Sequence, residues 1–320
     1  KKFIYIKLFL KLLEEVGLYK NISLILISFL IALFDITGIG ILISFLFNSN
    51  NNFLINLNNF SLNNYSLLLI FLLIITRSFF KAYLKIIQQK IKSKYVDQLR
   101  EELLSGLVYS PIEIINKLSK GDLIGLLLVD INRTVFALDA GLKIIQQIIS
   151  LIIYLSFLIL IGKFISIALI LGIISCLIAL AFQKSNSWQL GQIQSKSNSS
   201  LQRIVGDGLF GLKTIKSYSK ENWLLSNFSK ENQKLRSLLL LILSKQSIFN
   251  AVRDSSFAIL VILFVFIYRL NFDKAIITTI LLLAYRFSTI IANIVDLERL
   301  CLGSLPGYIK LTKIRQNLKL

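Results

Sequence analysis

The chain has no histidine, no methionine, two cysteines and two prolines in 320 residues. With no His, and only Cys176 and Cys301 as thiols, a zinc site or a disulfide scaffold has no ligand set to draw on. The only prolines, Pro111 and Pro306, leave room for long uninterrupted helices. Strand-like alternation is not sustained anywhere, which argues against a transmembrane β-barrel. Acidic residues are also scarce, 17 against 36 Lys and Arg, for a net charge of +19. Nucleic acid is one partner for such a charge. Here, however, the basic residues lie mostly beside apolar stretches rather than on a soluble face, as the positive-inside rule places them on cytoplasmic flanks. Anionic inner-leaflet lipid favours the same charges. The sequence opens Lys1-Lys2 and contains no Met, so it reads as a piece of a longer protein.

What is present is apolar. Hydrophobic residues make up 55% and mean hydropathy is +0.71, too apolar for an ordinary soluble domain and pointing to membrane spans. The expectation is an all-α membrane protein with six spans, about 22–47, 65–80, 144–161, 164–182, 249–268 and 275–294. Residues 1–20 read as a basic amphipathic helix lying at the membrane surface. The Asn-rich, uncharged 48–64 reads as an outer loop. Gly162-Lys163 and Arg269 to Lys274 read as tight outer turns, and both termini as cytoplasmic.

The inner connections are long. Helical pattern runs from Tyr65 to Tyr109, about 70 Å at ~1.5 Å per residue. The hydrocarbon core is ~30 Å thick, so roughly 30–40 Å projects into the cytoplasm. Pro111 stops that helix, and Lys120-Gly121-Asp122 breaks and restarts the chain, with Ser119 or Asp122 able to cap the next helix. A short transverse helix is expected between them. A second tip spans Gly206 to Trp223. A further break is expected at Gly303 to Gly307, beyond the sixth span.

Charges inside spans are candidates for function. Asp35 and Arg286 each lie about 18 Å below the outer surface at ~1.5 Å per residue, so they can pair or line one cavity. Arg253 and Asp254 lie slightly deeper, and Asn293 joins the set. Isolated buried charges are costly, so a structural ion pair is weighed ahead of substrate contact. Arg77, near the inner interface, is expected to snorkel.

The layout and both tips resemble the transmembrane domain of type I ATP-binding cassette exporters. The first tip carries Gly121-Asp122-Leu123 followed by Asp130-Ile131-Asn132-Arg133. The second carries Gly211-Leu212-Lys213-Thr214-Ile215-Lys216-Ser217-Tyr218, then Glu221 and Phe228. The resemblance implies a single domain over 1–320, paired with a second transmembrane half, homo- or heterodimeric. It also implies short coupling helices, about Ile112 to Lys120 and Lys213 to Asn222, seated on ATPase domains. On the first tip these contacts fall at Ile112, Glu113, Ile114, Asn116, Lys117, Lys120, Gly121 and Asp122. On the second they fall at Lys213, Lys216, Ser217, Tyr218, Ser219, Lys220 and Glu221. The second hairpin is implied to cross to the partner's ATPase domain. No GxxxxGK[ST] phosphate loop occurs, so no catalytic or cofactor residue is assigned here. ATP and Mg are expected on a nucleotide-binding domain after residue 320 or on another polypeptide. The short stretch Asp35-x-x-Gly38-Ile39-Gly40 is similar to exporters and flippases of lipids and lipid-linked sugars, in a bacterial cytoplasmic membrane. Peptide or drug export is the alternative. From another class, an ion-coupled secondary transporter is expected to show broken spans and midplane ion ligands, which this sequence does not.

Overall fold

A computed structural model of the chain describes residues 11–15, 17–47, 64–115, 120–161, 187–268 and 274–318, with a few positions between 170 and 178. The expected outer loop, both outer turns and most of the fourth span lie outside the described residues. Every described element is helical: α1 (Leu18–Phe47), α2 (Asn64–Tyr109), α3 (Ile112–Ile115), α4 (Lys120–Gly125), a π segment (Leu126–Asp130), α5 (Ile131–Ile161), α6 (Ser187–Phe210), α7 (Leu212–Ser217), α8 (Glu221–Tyr268) and α9 (Lys274–Asn317). Helices α2 and α8, of 46 and 48 residues, are each about 70 Å long at ~1.5 Å per residue. Among the described residues, Gly121–Ser156 and Glu221–Ile267 are long and apolar enough to cross a membrane, and Ile22–Gly38 forms a shorter apolar run. Large side chains such as Phe71, Phe79, Ile262 and Phe266 point outward from the bundle, as they do where the surrounding solvent is lipid.

Helix α5 is the central post. It packs along α9 and against α1 and α2, while α6 lies against α4, α8 and α9. The main core joins Leu99 and Leu103 of α2, Ile131 and Leu138 of α5, and Tyr308 and Leu311 of α9. Leu12 and Leu13 of the leading segment are buried in the same core. That segment is also tied by Glu15, which accepts hydrogen bonds from Tyr95 (2.8 Å) and Tyr308 (2.9 Å). Arg315 of α9 reaches Glu102 of α2 at 2.6 Å beside them.

Two local expectations are corrected. There is no break at Gly303 to Gly307: α9 runs through Pro306 to Asn317. The proline costs one internal hydrogen bond, but Leu305, Tyr308 and Leu311 around it are fully or almost fully buried, and that packing holds the helix together. The second tip is not one helix from Lys213 to Asn222. α7 stops at Ser217, and Ser219 takes a left-handed φ of 49°. Lys220 N–H then donates to Ile215 O, and Ser219 N–H to Lys216 O, which is the Schellman closure that ends helices. Of the first expected tip helix, Ile112–Ile115 is described and residues 116–119 lie outside the described residues.

Candidate functional site

Helices α1, α2, α5 and α9 line a half-open cavity of about 700 Å³. Phe34 and Phe80 stack at 5.7 Å to fix α1 on α2. Ala32, Ile36, Ile153 and Ile290 pack into one cluster that holds α1, α5 and α9 together at the cavity wall. At one end of the cavity stands Asp35 of α1. Its Oδ2 accepts a hydrogen bond from Arg77 of α2 at 2.8 Å, and Arg286 of α9 lies 4.0 Å from the same oxygen. At the other end Asp139 of α5 holds Lys92 of α2 at 3.0 Å and Lys143 at 2.8 Å.

The sequence-derived set Asp35, Arg253, Asp254, Arg286 and Asn293 is therefore split. Asp35, Arg286 and Asn293 line the cavity together. Arg253 and Asp254 sit on α8, outside that wall, where Arg253 donates to Asp254 at 2.7 Å. Arg77 does not snorkel: its nearest anion is Asp35, because a carboxylate within reach in a partly buried wall outcompetes the interface. Sequence reasoning also passed over Lys81, Lys85, Gln88, Lys92, Asp139, Lys143 and Gln146, all of which line the cavity. A signal existed. Residues 77, 81, 85 and 92 recur at helical spacing and share one face of α2.

The tip residues fall into three groups. Ile112 and Glu113 are exposed on α3, as are Lys213, Lys216, Ser217, Tyr218, Ser219, Lys220 and Glu221 around α7. Tyr218 is 73% exposed and Ile112 72%, bare apolar surface at both tips. Gly121 and Asp122 face inward instead. A Cβ on Gly121 would stand 2.6 Å from Gln202 O, so the glycine lets α4 lie on α6, and Asp122 pairs with Arg203 of α6 at 3.2 Å. Asn116 and Lys117 lie outside the described residues, as do the side chains of Ile114 and Lys120.

The Asp130-to-Arg133 step lies behind the tip, where it fastens three helices. Asp130 is buried and pairs with Lys310 of α9 at 2.8 Å. Arg133, also buried, donates to Gly191 O of α6 at 3.2 Å and to Gly303 O of α9 at 2.9 Å. The π segment ends at Asp130. Such bulges commonly mark functional segments of a helix.

A bundle of long, outwardly apolar helices around a charged cavity defines a helical membrane domain. The family model for the ABC transporter transmembrane region matches residues 24–293, and the chain belongs to that family. It is thus an integral membrane protein and the membrane half of an ABC transporter. Domains of this family generally pair with nucleotide-binding domains and with a second transmembrane domain. No curated protein matches the chain.

Proposed function

We propose that this chain forms one half of the substrate pathway of an ATP-driven exporter working by alternating access. Its substrate is then an amphipathic lipid or lipid-linked glycan, and the domain is a single six-span unit over 1–320. The observation that carries the reading is the charged cavity of about 700 Å³ inside helices that continue as rigid levers to two exposed tips. In this reading Ile112, Glu113, Tyr218 and the lysines of α7 are contact surfaces for the nucleotide-binding domains, which bind ATP and Mg. The tips move with those domains, and the helices re-pack between inward-open and outward-open states. The bound substrate biases the two states only through its different affinity for each. Both termini then face the cytoplasm of a bacterial cell.

The outward face of α8 supports a paired arrangement. It packs on α6 and only lightly on α9, leaving Leu240, Leu243 and Ile248 bare. A second transmembrane half covers such a face without exposing it to water.

The test is ATPase activity and lipid translocation by the full-length transporter in proteoliposomes, with Tyr218→Ala as the variant. Loss of translocation with retained substrate binding is expected. Translocation at the unmodified rate in Tyr218→Ala removes the coupling role from α7, and absence of ATP-driven translocation by the parent protein removes the exporter reading.

A further inference from the structure

We propose that the cavity selects an amphipathic substrate whose polar end is multiply anionic, of the phosphate-ester class, held on a cationic stripe along α2. This rests on the reading of the cavity as the substrate pathway. The cavity is lined by six cationic side chains against three carboxylates. One of those carboxylates, Asp296, is already engaged by Arg299 of its own helix at 3.1 Å. The imbalance is organised. Each of Asp35 and Asp139 is shared by two cations, and Lys81 and Lys85 stand between them with no ion pair among the described residues. Arg77 to Lys92 covers about 22 Å at ~1.5 Å per residue, so the stripe runs the depth of the cavity.

Such a stripe has a cost. Like charges at i,i+4, as at Arg77, Lys81 and Lys85, destabilise a helix, and nothing on α2 itself offsets them. Lysines held at a membrane flank for topology alone have every outward face of α2 available. These turn inward. Buried donors point the same way. Arg77 Nε, Gln88 Nε2 and Gln146 Nε2 are buried and have no protein acceptor among the described residues. Buried donors left unmade are costly, and phosphate oxygens satisfy both them and the lysines with short charge-assisted bonds. A zwitterionic headgroup gains less, because the lining repels its cation while attracting its phosphate, and a cationic headgroup is repelled.

The experiment uses the full-length transporter in an uncharged detergent without nucleotide. Binding of a fluorescent-acyl phosphatidic acid is compared with that of the same label on phosphatidylcholine. The variants are Lys81→Ala/Lys85→Ala and, as a control of equal charge about 13 Å further along α2 and outside the cavity lining, Lys90→Ala/Lys94→Ala. The expected result is tighter binding of the phosphatidic acid probe, weakened about tenfold by the cavity pair and unchanged by the control pair. Equal weakening by both pairs reduces the effect to surface electrostatics and overturns the proposal. So does equal affinity for the two probes. Glycerol 3-phosphate serves as competitor. Competition only at far higher concentration than the lipid identifies a lipid headgroup, and competition at similar concentration identifies a free phosphate ester in the same site. Either outcome supports the anionic chemistry. Because no nucleotide is used, failure here leaves ATP-driven export standing, and failure of export leaves the binding result standing.

Discussion

Two glycines face each other across α6 and α9, and the same substitution at each is expected to act in opposite directions. A Cβ on Gly191 would lie 2.4 Å from Gly303 O and 2.7 Å from Gly303 Cα, both backbone atoms that cannot rotate away. Ordinary carbon contacts are ~3.5–4 Å, so α6 and α9 must separate by about 1 Å. Overpacking of this kind costs ~1–3 kcal/mol. The separation also strains the two Arg133 bonds that bridge Gly191 O and Gly303 O, worth ~1.5–3 kcal/mol each when a charged donor is involved. Removal of a helical glycine returns about 1 kcal/mol. The net for Gly191→Ala is a loss of about 2–4 kcal/mol. At Gly303 an added Cβ meets nothing within 4 Å, so Gly303→Ala keeps only the propensity gain of up to about 1 kcal/mol. Thermal midpoints of the purified protein, followed by tryptophan fluorescence, check this. At ~2 °C per kcal/mol, Gly191→Ala should fall by about 4–8 °C and Gly303→Ala should hold or rise slightly. Equal shifts of the same sign for both variants would refute the close crossing of α6 and α9.

Further outcomes follow from other sites. Ser219 sits at φ 49°, where glycine carries no Cβ penalty, so Ser219→Gly should raise the thermal midpoint by the equivalent of about 0.5–1 kcal/mol. Tyr95 and Tyr308 are pushed above the ordinary phenol pKa by burial and by the Glu15 carboxylate. A folded-state pKa that is raised contributes stability below the unfolded value of about 10 and loses it as pH rises beyond. Melting curves should therefore fall progressively as pH rises above 10, without levelling off by pH 11, and the fall should flatten in Tyr95→Phe/Tyr308→Phe. Burial pushes the Cys301 thiol up to about 12. In a Cys176→Ser background, maleimide labelling at neutral pH should then be slow until the protein is unfolded. Asp35→Asn should destabilise more than Arg286→Gln, because it leaves two guanidiniums facing each other; a thermal-shift comparison decides.

The long helices were legible because proline is rare and apolar runs pass straight into polar amphipathic ones. α2 ends at Tyr109, just before Ser110-Pro111, as the proline dictates. Pro306 misled for the same reason: a local helix-breaking rule was applied where the burial of Leu305 and Tyr308 decides. Asp35 and Arg286 were read as sharing a depth from span counting, since rise per residue is nearly constant. Arg77 was misplaced because counting along one helix says nothing about which neighbour it faces. The stripe from Lys81 to Lys92 was read as solvated flank, and only the position of α5 and α9 turns it into a wall. The roles of Asp130 and Arg133 required three helices to be placed at once, which no spacing rule supplies.

The central claim is that the cavity opens to alternate sides of the membrane as ATP is used. The most direct measurement is the labelling rate of a cysteine placed in the cavity by Lys81→Cys, in Cys176→Ser/Cys301→Ser full-length transporter, with a membrane-impermeant maleimide on the cytoplasmic side. Labelling should be fast without nucleotide and at least about tenfold slower after trapping with ATP and vanadate, the shift expected if each state holds more than about nine-tenths of the population. An unchanged rate in the trapped state would contradict alternating access through this cavity.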